Sequence, residues 1–227
     1  MGATKRLAEA LCQALNRESA TRFITVRFGN VLGSAGSVVP LFSRQIERGG
    51  PLTVTHPEIE RFFMTIPEAS QLILQAAVIG EGGEIFVLDM GEPVKIRYLA
   101  EQMIRLSGRE PGSEVPISYT GLRPGEKLYE ELFYDSEALG ETRHPKIRVA
   151  KGSDGLLDRL SPERLANLAR ACESQDADGM LEALGALIPD WRRERSAGTG
   201  PGPGPTAEAP AIEPSLSAAE PVSGARV

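Results

Sequence analysis

The sequence is poor in the residues that most often hold metal ions or form disulfides. It contains two cysteines and two histidines among 227 residues. Cys12 and Cys172 each fall within a helix-like pattern, and their spacing matches neither a zinc site nor a disulfide framework. His56 and His144 each precede a proline in a loop-like segment. We therefore expect no metal centre, and the low cysteine content is typical of a protein in a reducing compartment.

The sequence also lacks long apolar runs and an excess of positive charge. No apolar stretch reaches the roughly 18 residues of a membrane-spanning helix. Lys5 and Arg6 lie near the start, but no apolar core of a signal peptide follows them. The net charge of −6 provides no basic field for nucleic acid, so we expect no nucleic-acid partner. These features together predict a cytoplasmic protein.

Amphipathic helices and short strands alternate along the chain. Leu7, Leu11 and Leu15 recur at helical spacing within 4–16, whereas 22–28 is rich in β-branched and aromatic residues and is typical of a strand. Further helices are predicted at 39–48 before a double glycine, and at 67–80, 94–107, 161–175 and 178–191. Further strands are predicted at 51–57, 84–90, 115–121 and 146–150. This alternation predicts an α/β fold.

Two segments carry more specific expectations. Thr65 is placed to cap a helix that has Pro67 in its first turn, and the nearly continuous apolar residues of that helix predict that it is well buried. The segment GLRPGEKLYEELF, residues 121–133, is expected to run from a loop into a helix.

The composition divides the chain into three parts. Residues 195–227 consist mainly of Pro, Gly, Ala and Ser, with too few large apolar groups to offset the entropy of folding, so this tail is predicted to be disordered. Residues 152–194 are expected to form a helical extension of the α/β part, 1–151. No strand is followed by G-x-G-x-x-G, so the sequence contains no dinucleotide phosphate-binding fingerprint.

Four motifs in one order resemble a known enzyme family. They are MGATKR (1–6), RFGNVLGSAGSVVPLF (27–42), ERFFMTIPEA (60–69) and GLRPGEKLYEEL (121–132). In this order and spacing they are similar to the C-terminal half of the CapD-like UDP-N-acetylglucosamine 4,6-dehydratases, which are extended short-chain dehydrogenases. The resemblance covers 1–151. It implies the C-terminal part of an extended Rossmann-type fold, with a small α/β substrate-binding subdomain.

The resemblance also implies a cofactor and a reaction. In the family, NAD removes a hydride from C4 of a UDP-sugar, water is eliminated across C5 and C6, and the hydride returns to C6. The Gly-rich NAD-binding half and the groups for proton transfer at C5 and C6 would lie upstream of Met1. We therefore expect the chain to be inactive alone, and two kinds of protein partner stay open: a second copy in a homo-oligomer, or an N-terminal half supplied by another chain. Polysaccharide or glycan biosynthesis is the implied process.

The resemblance assigns the first residues to the catalytic centre. Most short-chain dehydrogenases carry a Tyr four residues before a Lys on this helix, so that both side chains face one cleft. The long CapD-like members have Met at the Tyr position, and here the pair is Met1 and Lys5. The resemblance implies that Lys5 binds the nicotinamide ribose and is both a catalytic and a cofactor-binding residue. The competing interpretation of Lys5 is a solvated side chain near a helix start.

Four residues are implied to bind the sugar nucleotide. Asn30 follows the strand at 22–28, and its amide would lie near the diphosphate, although an asparagine in a turn is the alternative. Arg61 and Arg123 are implied ligands of the diphosphate or the uridine, because a guanidinium matches phosphate oxygens, although Arg61 could equally form a salt bridge. Glu126 belongs to the same motif as Arg123 and has the alternative role of capping the helix expected after it.

Three functions remain open on the sequence. The first is a part of a nucleotide-sugar 4,6-dehydratase, with a nucleotide-sugar epimerase as the close alternative. The second is a module that binds a UDP-sugar without catalysis. The third and weakest is an interaction protein that acts through its Pro-rich tail.

Overall fold

The computed structural model describes residues 2–34, 36–134, 137–152 and 155–188. All of these residues belong to one compact unit, 1–193. Two predictions fall outside the described residues: the catalytic role of Met1 and the disorder of the tail at 195–227. The division of the chain into 1–151, 152–194 and 195–227 stays a prediction.

The described residues form an α/β fold, as the sequence predicts. The α-helices span Gly2–Glu18 (α1), Val38–Glu47 (α2), Ile66–Ile79 (α3), Ile96–Leu106 (α4), Pro162–Glu173 (α5) and Ala177–Leu187 (α6). The strands span Thr25–Arg27 (β1), Asn30–Val31 (β2), Leu52–Val54 (β3), Glu60–Arg61 (β4), Phe63–Met64 (β5), Ile85–Leu88 (β6), Val94–Lys95 (β7), Ile117–Tyr119 (β8), Ala138–Glu141 (β9) and Ile147–Lys151 (β10). A short 3₁₀ helix spans Leu157–Arg159.

The principal sheet has the strand order β1–β6–β10–β9. β1 is parallel to β6, whereas β10 runs antiparallel to both β6 and β9. Because side chains alternate along a strand, β6 presents Phe86 and Leu88 to one face of the sheet and Ile85 to the other. The first face packs on α3, and Ile85 lines a cavity with α1. α1 and α3 therefore lie on opposite faces of this sheet.

Two further apolar clusters complete the fold. One joins α2 and α4 to the parallel pair β3 and β8, and forms the small α/β subdomain that the resemblance predicts. The other joins α1 to the 3₁₀ helix, α5 and α6, with Leu7, Ala10 and Leu187 at its centre. The two helices predicted after 152 are therefore present. Within this cluster, residues of α6 and of the 3₁₀ helix bury part of α1.

The helix caps follow the sequence closely. Thr65 accepts a hydrogen bond from the Glu68 N–H at the start of α3, and Ser161 accepts one from the Arg164 N–H at the start of α5. Each helix has a proline in its first turn, where the missing N–H costs no helical hydrogen bond. α2 ends before the double glycine at 49–50, as predicted.

The prediction that α3 is well buried is wrong for half of its surface. One stripe of the helix is buried against the sheet, whereas the opposite stripe remains exposed, with Leu74 and Val78 at 67% and 73% relative exposure. The buried residues are Ala69, Leu72 and Ala76, and the exposed ones are Ile66, Ile73, Leu74 and Val78. The reason is geometric: the sheet covers one side of a helix, and large apolar side chains on the other side stay open to solvent in the described part of the chain.

The helix predicted after GLRPGEK is also wrong, because residues 121–133 contain no helix. The carbonyl of Leu128 accepts a hydrogen bond from the Glu60 N–H and another from the Arg61 side chain, which also donates to the carbonyl of Lys127. In a helix these carbonyls would accept from amides four residues later. Pairing with β4 replaces those helical hydrogen bonds. Glu126 accordingly caps no helix.

The strand predicted at 22–28 is shorter in the structure. β1 covers only Thr25–Arg27, and Asn30 lies in the separate strand β2, which pairs in parallel with β5. β9 was not predicted at all. Within the described residues, no helix combines the length and the apolar character that are needed to cross a lipid bilayer.

Candidate functional site: a locked turn, an arginine crosslink and an anchored helix

The RPGE segment is a β-turn that is closed by two hydrogen bonds. The Glu126 N–H donates to the Arg123 carbonyl at 2.9 Å, and the Glu126 carboxylate accepts from the Arg123 N–H at 3.0 Å. Pro124 suits the second position of such a turn, and Gly125 has the positive φ of 73° that the third position of a type II turn requires. Thr55 Oγ1 lies 3.3 Å from the same carboxylate. Glu126 therefore fixes the turn on which Arg123 sits.

The Arg123 side chain is exposed at the tip of this turn. Within the described residues, its guanidinium has no hydrogen bond and no ion pair. A guanidinium without protein partners, on a turn whose backbone is hydrogen-bonded, can bind an anionic ligand without breaking contacts inside the protein, and only its side chain is ordered on binding.

Arg61 is in the opposite situation, because its donors are used inside the protein. Its Nη1 donates to the carbonyls of Glu60 and Leu128 at 2.7 and 3.1 Å, and its Nη2 donates to the carbonyl of Lys127 at 2.9 Å. Only 14% of the side chain is exposed. In this arrangement Arg61 crosslinks β4 to the segment that follows the turn.

Two glutamates lie beside Arg61. Glu126 Oε1 lies 3.6 Å from its Nη2, and Glu130 Oε1 lies 3.5 Å from its Nε. A diphosphate that approached Arg61 would meet these two carboxylates, and like charges repel. The role of Arg61 as a phosphate ligand therefore stays a prediction, and it requires the guanidinium to leave contacts that the structure shows.

Asn30 is joined to this region through the backbone. Its N–H donates to the Phe62 carbonyl at 2.9 Å, next to Arg61. The preceding Gly29 allows a close approach, since a Cβ there would lie 3.0 Å from Phe62 Cβ and 3.1 Å from a Glu130 oxygen. Within the described residues, the Asn30 carboxamide has no hydrogen-bond partner. The structure thus connects Asn30, Arg61, Glu126 and Arg123 by a continuous path of contacts.

Lys5 lies apart from that path, in the first turns of α1. Its side chain is exposed, and its ammonium forms no hydrogen bond or ion pair with any described residue. Its family partner Met1 lies outside the described residues. The ammonium is therefore open to a ligand, and the structure records no contact that links it to Asn30 or Arg123.

Sequence reasoning missed the network that holds α1 against the sheet. Arg27 on β1 donates to both carboxylate oxygens of Glu9, at 2.7 and 2.8 Å, and to both oxygens of Glu137, at 2.7 and 3.0 Å. These three side chains are only 12–13% exposed. Burial alone would lower the pKa of Arg27, but the hydrogen bonds with Glu9 and Glu137 outweigh it and raise that pKa above its usual value. The signal in the sequence is an arginine inside an apolar strand, between Val26 and Phe28.

Tyr134 extends the same network. Its ring lies 3.8 Å from the guanidinium carbon of Arg6 and 4.8 Å from that of Arg27, and its N–H donates to Glu137 at 2.9 Å. Cations over an aromatic face are attracted by its electron density. The segment before β9 is thereby tied to α1 and to β1.

The two histidines occupy structural positions. Nδ1 of His56 accepts from the Glu58 N–H, and Nδ1 of His144 accepts from the Lys146 N–H. Each histidine side chain therefore accepts from the backbone N–H two residues later and closes a local turn. No group of three or more potential metal-binding side chains occurs in the part of the chain that the structure describes.

Comparisons with known proteins agree with these motifs. A family model described as "Polysaccharide biosynthesis protein" matches residues 1–152. The probable polysaccharide biosynthesis protein EpsC of Bacillus subtilis is 58% identical over 155 residues, which are 68% of this chain and 26% of EpsC. The capsular polysaccharide biosynthesis protein CapD of Staphylococcus aureus is 52% identical over 181 residues, covering 74% of this chain and 30% of CapD. This chain therefore spans about a quarter to a third of the length of these relatives.

A solved structure and a more distant enzyme extend the comparison. The X-ray structure of Pen from Bacillus thuringiensis is 37% identical, with a TM-score of 0.58, over 66% of this chain and 47% of Pen. A UDP-glucose 4-epimerase of Rickettsia akari is 38% identical over 58% of this chain and 38% of the epimerase. The motif order, the α/β fold and the match over 1–152 lead to one conclusion: the chain belongs to the polysaccharide biosynthesis protein family, whose relatives include nucleotide-sugar epimerases.

Proposed function

We propose that this chain is the sugar-nucleotide-binding part of an NAD-dependent nucleotide-sugar 4,6-dehydratase that acts on a UDP-N-acetylhexosamine in polysaccharide biosynthesis. The observation that carries the proposal is the Arg123 turn. Its backbone is closed from both sides by Glu126, and its guanidinium is exposed without a partner in the described chain. That arrangement presents a fixed positive charge to a diphosphate.

The residues of the proposed site divide into ligands and a positioning group. Arg123 would contact a diphosphate oxygen, and the unpaired Asn30 carboxamide would donate to the same group. Glu126 acts through Arg123, because it holds the turn and does not itself face the anion. Arg61 would join the phosphate ligands only after leaving the carbonyls of Lys127 and Leu128.

NAD, when bound, would take up the hydride from C4 of the sugar and return it to C6, so that the cofactor ends in its original oxidation state. The residues of this chain fit only part of that cofactor. The free ammonium of Lys5 suits a ribose hydroxyl, whereas no Gly-rich turn of the chain suits the pyrophosphate. We therefore propose that residues outside these 227, in the same or another chain, hold most of the cofactor. Met1, at the family's Tyr position, has no group that could transfer a proton.

Binding of UDP to the 227-residue chain tests the role of Arg123. We expect Arg123→Ala to weaken binding by about 10- to 100-fold, because a hydrogen bond to a charged group contributes about 1.5–3 kcal/mol. Arg22→Ala, another exposed arginine on the surface, is the matched control and should leave the affinity unchanged. Isothermal titration calorimetry measures both. Equal affinities for wild type and Arg123→Ala would remove Arg123 from the site.

Turnover tests the role of Lys5. The chain would be co-expressed with the part of EpsC that lies outside the match, and the pair would be incubated with UDP-N-acetylglucosamine and NAD. We expect product that has lost one water, and we expect Lys5→Ala to abolish it with UDP affinity unchanged, since the ammonium contacts the cofactor. Turnover by Lys5→Ala at the wild-type rate would refute that role.

The same assay separates the alternatives. The similarity to the Rickettsia UDP-glucose 4-epimerase favours epimerisation as the second candidate. An epimerase would give a product of unchanged mass and inverted C4. A module that only binds would retain UDP affinity and give no product with any NAD-binding partner.

A further inference from the structure

Lys5 and Glu9 lie one helical turn apart on α1, which is the spacing at which a lysine and a glutamate commonly form an ion pair. They do not pair here. Both oxygens of Glu9 are occupied by Arg27, with Oε1 at 2.7 Å from Nε and Oε2 at 2.8 Å from Nη2. The carboxylate that would otherwise neutralise Lys5 is therefore held on the side of the helix that faces β1.

The charges of this network balance without Lys5. Arg27 also binds Glu137 through two hydrogen bonds, and Arg6 lies over the ring of Tyr134 beside them. The two guanidinium groups and the two carboxylates of this set sum to zero. Without Arg27 the set would hold two carboxylates and the single guanidinium of Arg6, so one negative charge would be unbalanced, and Lys5 lies one turn from Glu9.

The chain contains its own comparison for this spacing. Lys127 and Glu131 have the same order and separation, and their side chains pair at 2.5 Å on the surface. Within the described residues, Glu131 pairs with Lys127, and no arginine competes for its carboxylate. The Lys127 ammonium is thus paired with Glu131, whereas the Lys5 ammonium is left available.

We propose that Arg27 is a positioning residue for Lys5. Arg27 holds α1 on β1 through Glu9, and the same contact keeps Glu9 away from Lys5. The Lys5 ammonium therefore stays available to a ligand, and this ligand role rests on the function proposed above. Glu137 accepts two further hydrogen bonds from the Arg27 guanidinium. Arg27 itself does not face the ligand.

The test needs neither NAD nor turnover, so it stands apart from the test of the proposed function. The five lysines of the 227-residue chain are labelled by reductive methylation with ¹³C-formaldehyde, which keeps their charge. The Lys5 and Lys127 signals are assigned with Lys5→Arg and Lys127→Arg. We expect the Lys5 signal of Arg27→Met to move towards the position of the paired Lys127, and to return when Glu9→Gln is added.

Backbone hydrogen exchange provides the second readout. Amides of the first half of α1 should exchange roughly tenfold faster in Arg27→Met, whereas those of α4, in another cluster, should be unchanged. If Arg27→Met does not fold, Arg27→Gln replaces it, because its amide keeps hydrogen-bond donors but removes the positive charge that holds Glu9. A Lys5 signal that stays in place in these variants, or a shift that Glu9→Gln does not reverse, would overturn the proposal.

Discussion

The two faces of the four-stranded sheet are covered by helices that are held in different ways. The α3 face is apolar, and Phe86, Leu88 and Ile147 pack there against the small and branched residues of the helix. The α1 face carries Arg27, whose guanidinium is shared between Glu9 and Glu137. Against the sheet, α3 is held by contact area and α1 by directed hydrogen bonds, while the apolar stripe of α1 packs on the 3₁₀ helix and α6.

This difference separates stability from orientation. Burial of apolar surface contributes roughly 25 cal/mol per Å² and depends little on the angle between the groups. A buried ion pair contributes little net stability, since desolvation offsets the attraction, but its hydrogen bonds define one geometry. The α1 helix carries Lys5, so under the proposed function the directional contacts lie on the helix whose side chain must be oriented. The outer stripe of α3 carries no residue of the proposed site.

The largest expected effect comes from breaking the apolar face. Phe86→Ala should lower the free energy of unfolding by about 3–5 kcal/mol, because it removes buried surface and leaves a cavity. Leu74→Ala, on the exposed stripe of α3, is the control and should change it by no more than about 0.5 kcal/mol. Urea denaturation followed by circular dichroism measures both. Similar losses in the two variants would mean that this face does not provide the main core.

A smaller effect, of different origin, is expected on the charged face. Arg27→Met should cost about 3 kcal/mol, because two mostly buried carboxylates lose the guanidinium that binds both of them. Adding Glu9→Gln and Glu137→Gln should restore most of that loss, since the unpaired charges are then gone. The same denaturation experiment applies. A triple variant as unstable as Arg27→Met would show that packing of the arginine stem, and not charge, holds this face together.

The sequence was informative where structure depends on neighbours along the chain. The periodicity of α1 and the cap Thr65 are local features, and both are present as predicted. The errors lie where distant residues decide the outcome. Arg61 takes the carbonyls of 127–128 across 66 positions, and those contacts replace the helix expected after the turn.

The same limit applies to the candidate site. Motifs pointed to Asn30, Arg61, Arg123 and Glu126, and the structure connects these four by contacts. The sequence left Arg61 open between a phosphate ligand and a salt bridge, and it could not identify the backbone carbonyls that Arg61 binds. The partners of Arg27 could not be inferred either, since Glu137 is 110 positions away and has no motif of its own.

The smallest effect concerns Tyr134 and would sharpen the view that the α1 face depends on charge. Burial raises the pKa of its phenol above the ordinary value of about 10, and Glu9 raises it further, while Arg27 and Arg6 oppose the shift. Between the ordinary and the raised pKa, the unfolded chain has lost a proton that the folded chain keeps. Stability should therefore fall as the pH rises through that window.

Tyr134→Phe cannot ionise, so its alkaline loss of stability should be shallower than that of the wild type. We expect a difference of less than about 1 kcal/mol, because the ring is only half buried and solvent screens the charge. Urea midpoints measured between about pH 8 and about pH 11 give the slopes, with Tyr98→Phe on the exposed surface of α4 as the control. Parallel slopes for wild type and Tyr134→Phe would mean that burial and the nearby charges do not raise the pKa of the Tyr134 phenol. The charged contacts of the α1 face would then reduce to Arg27 and its two carboxylates, and its orienting role would be confined to those three side chains.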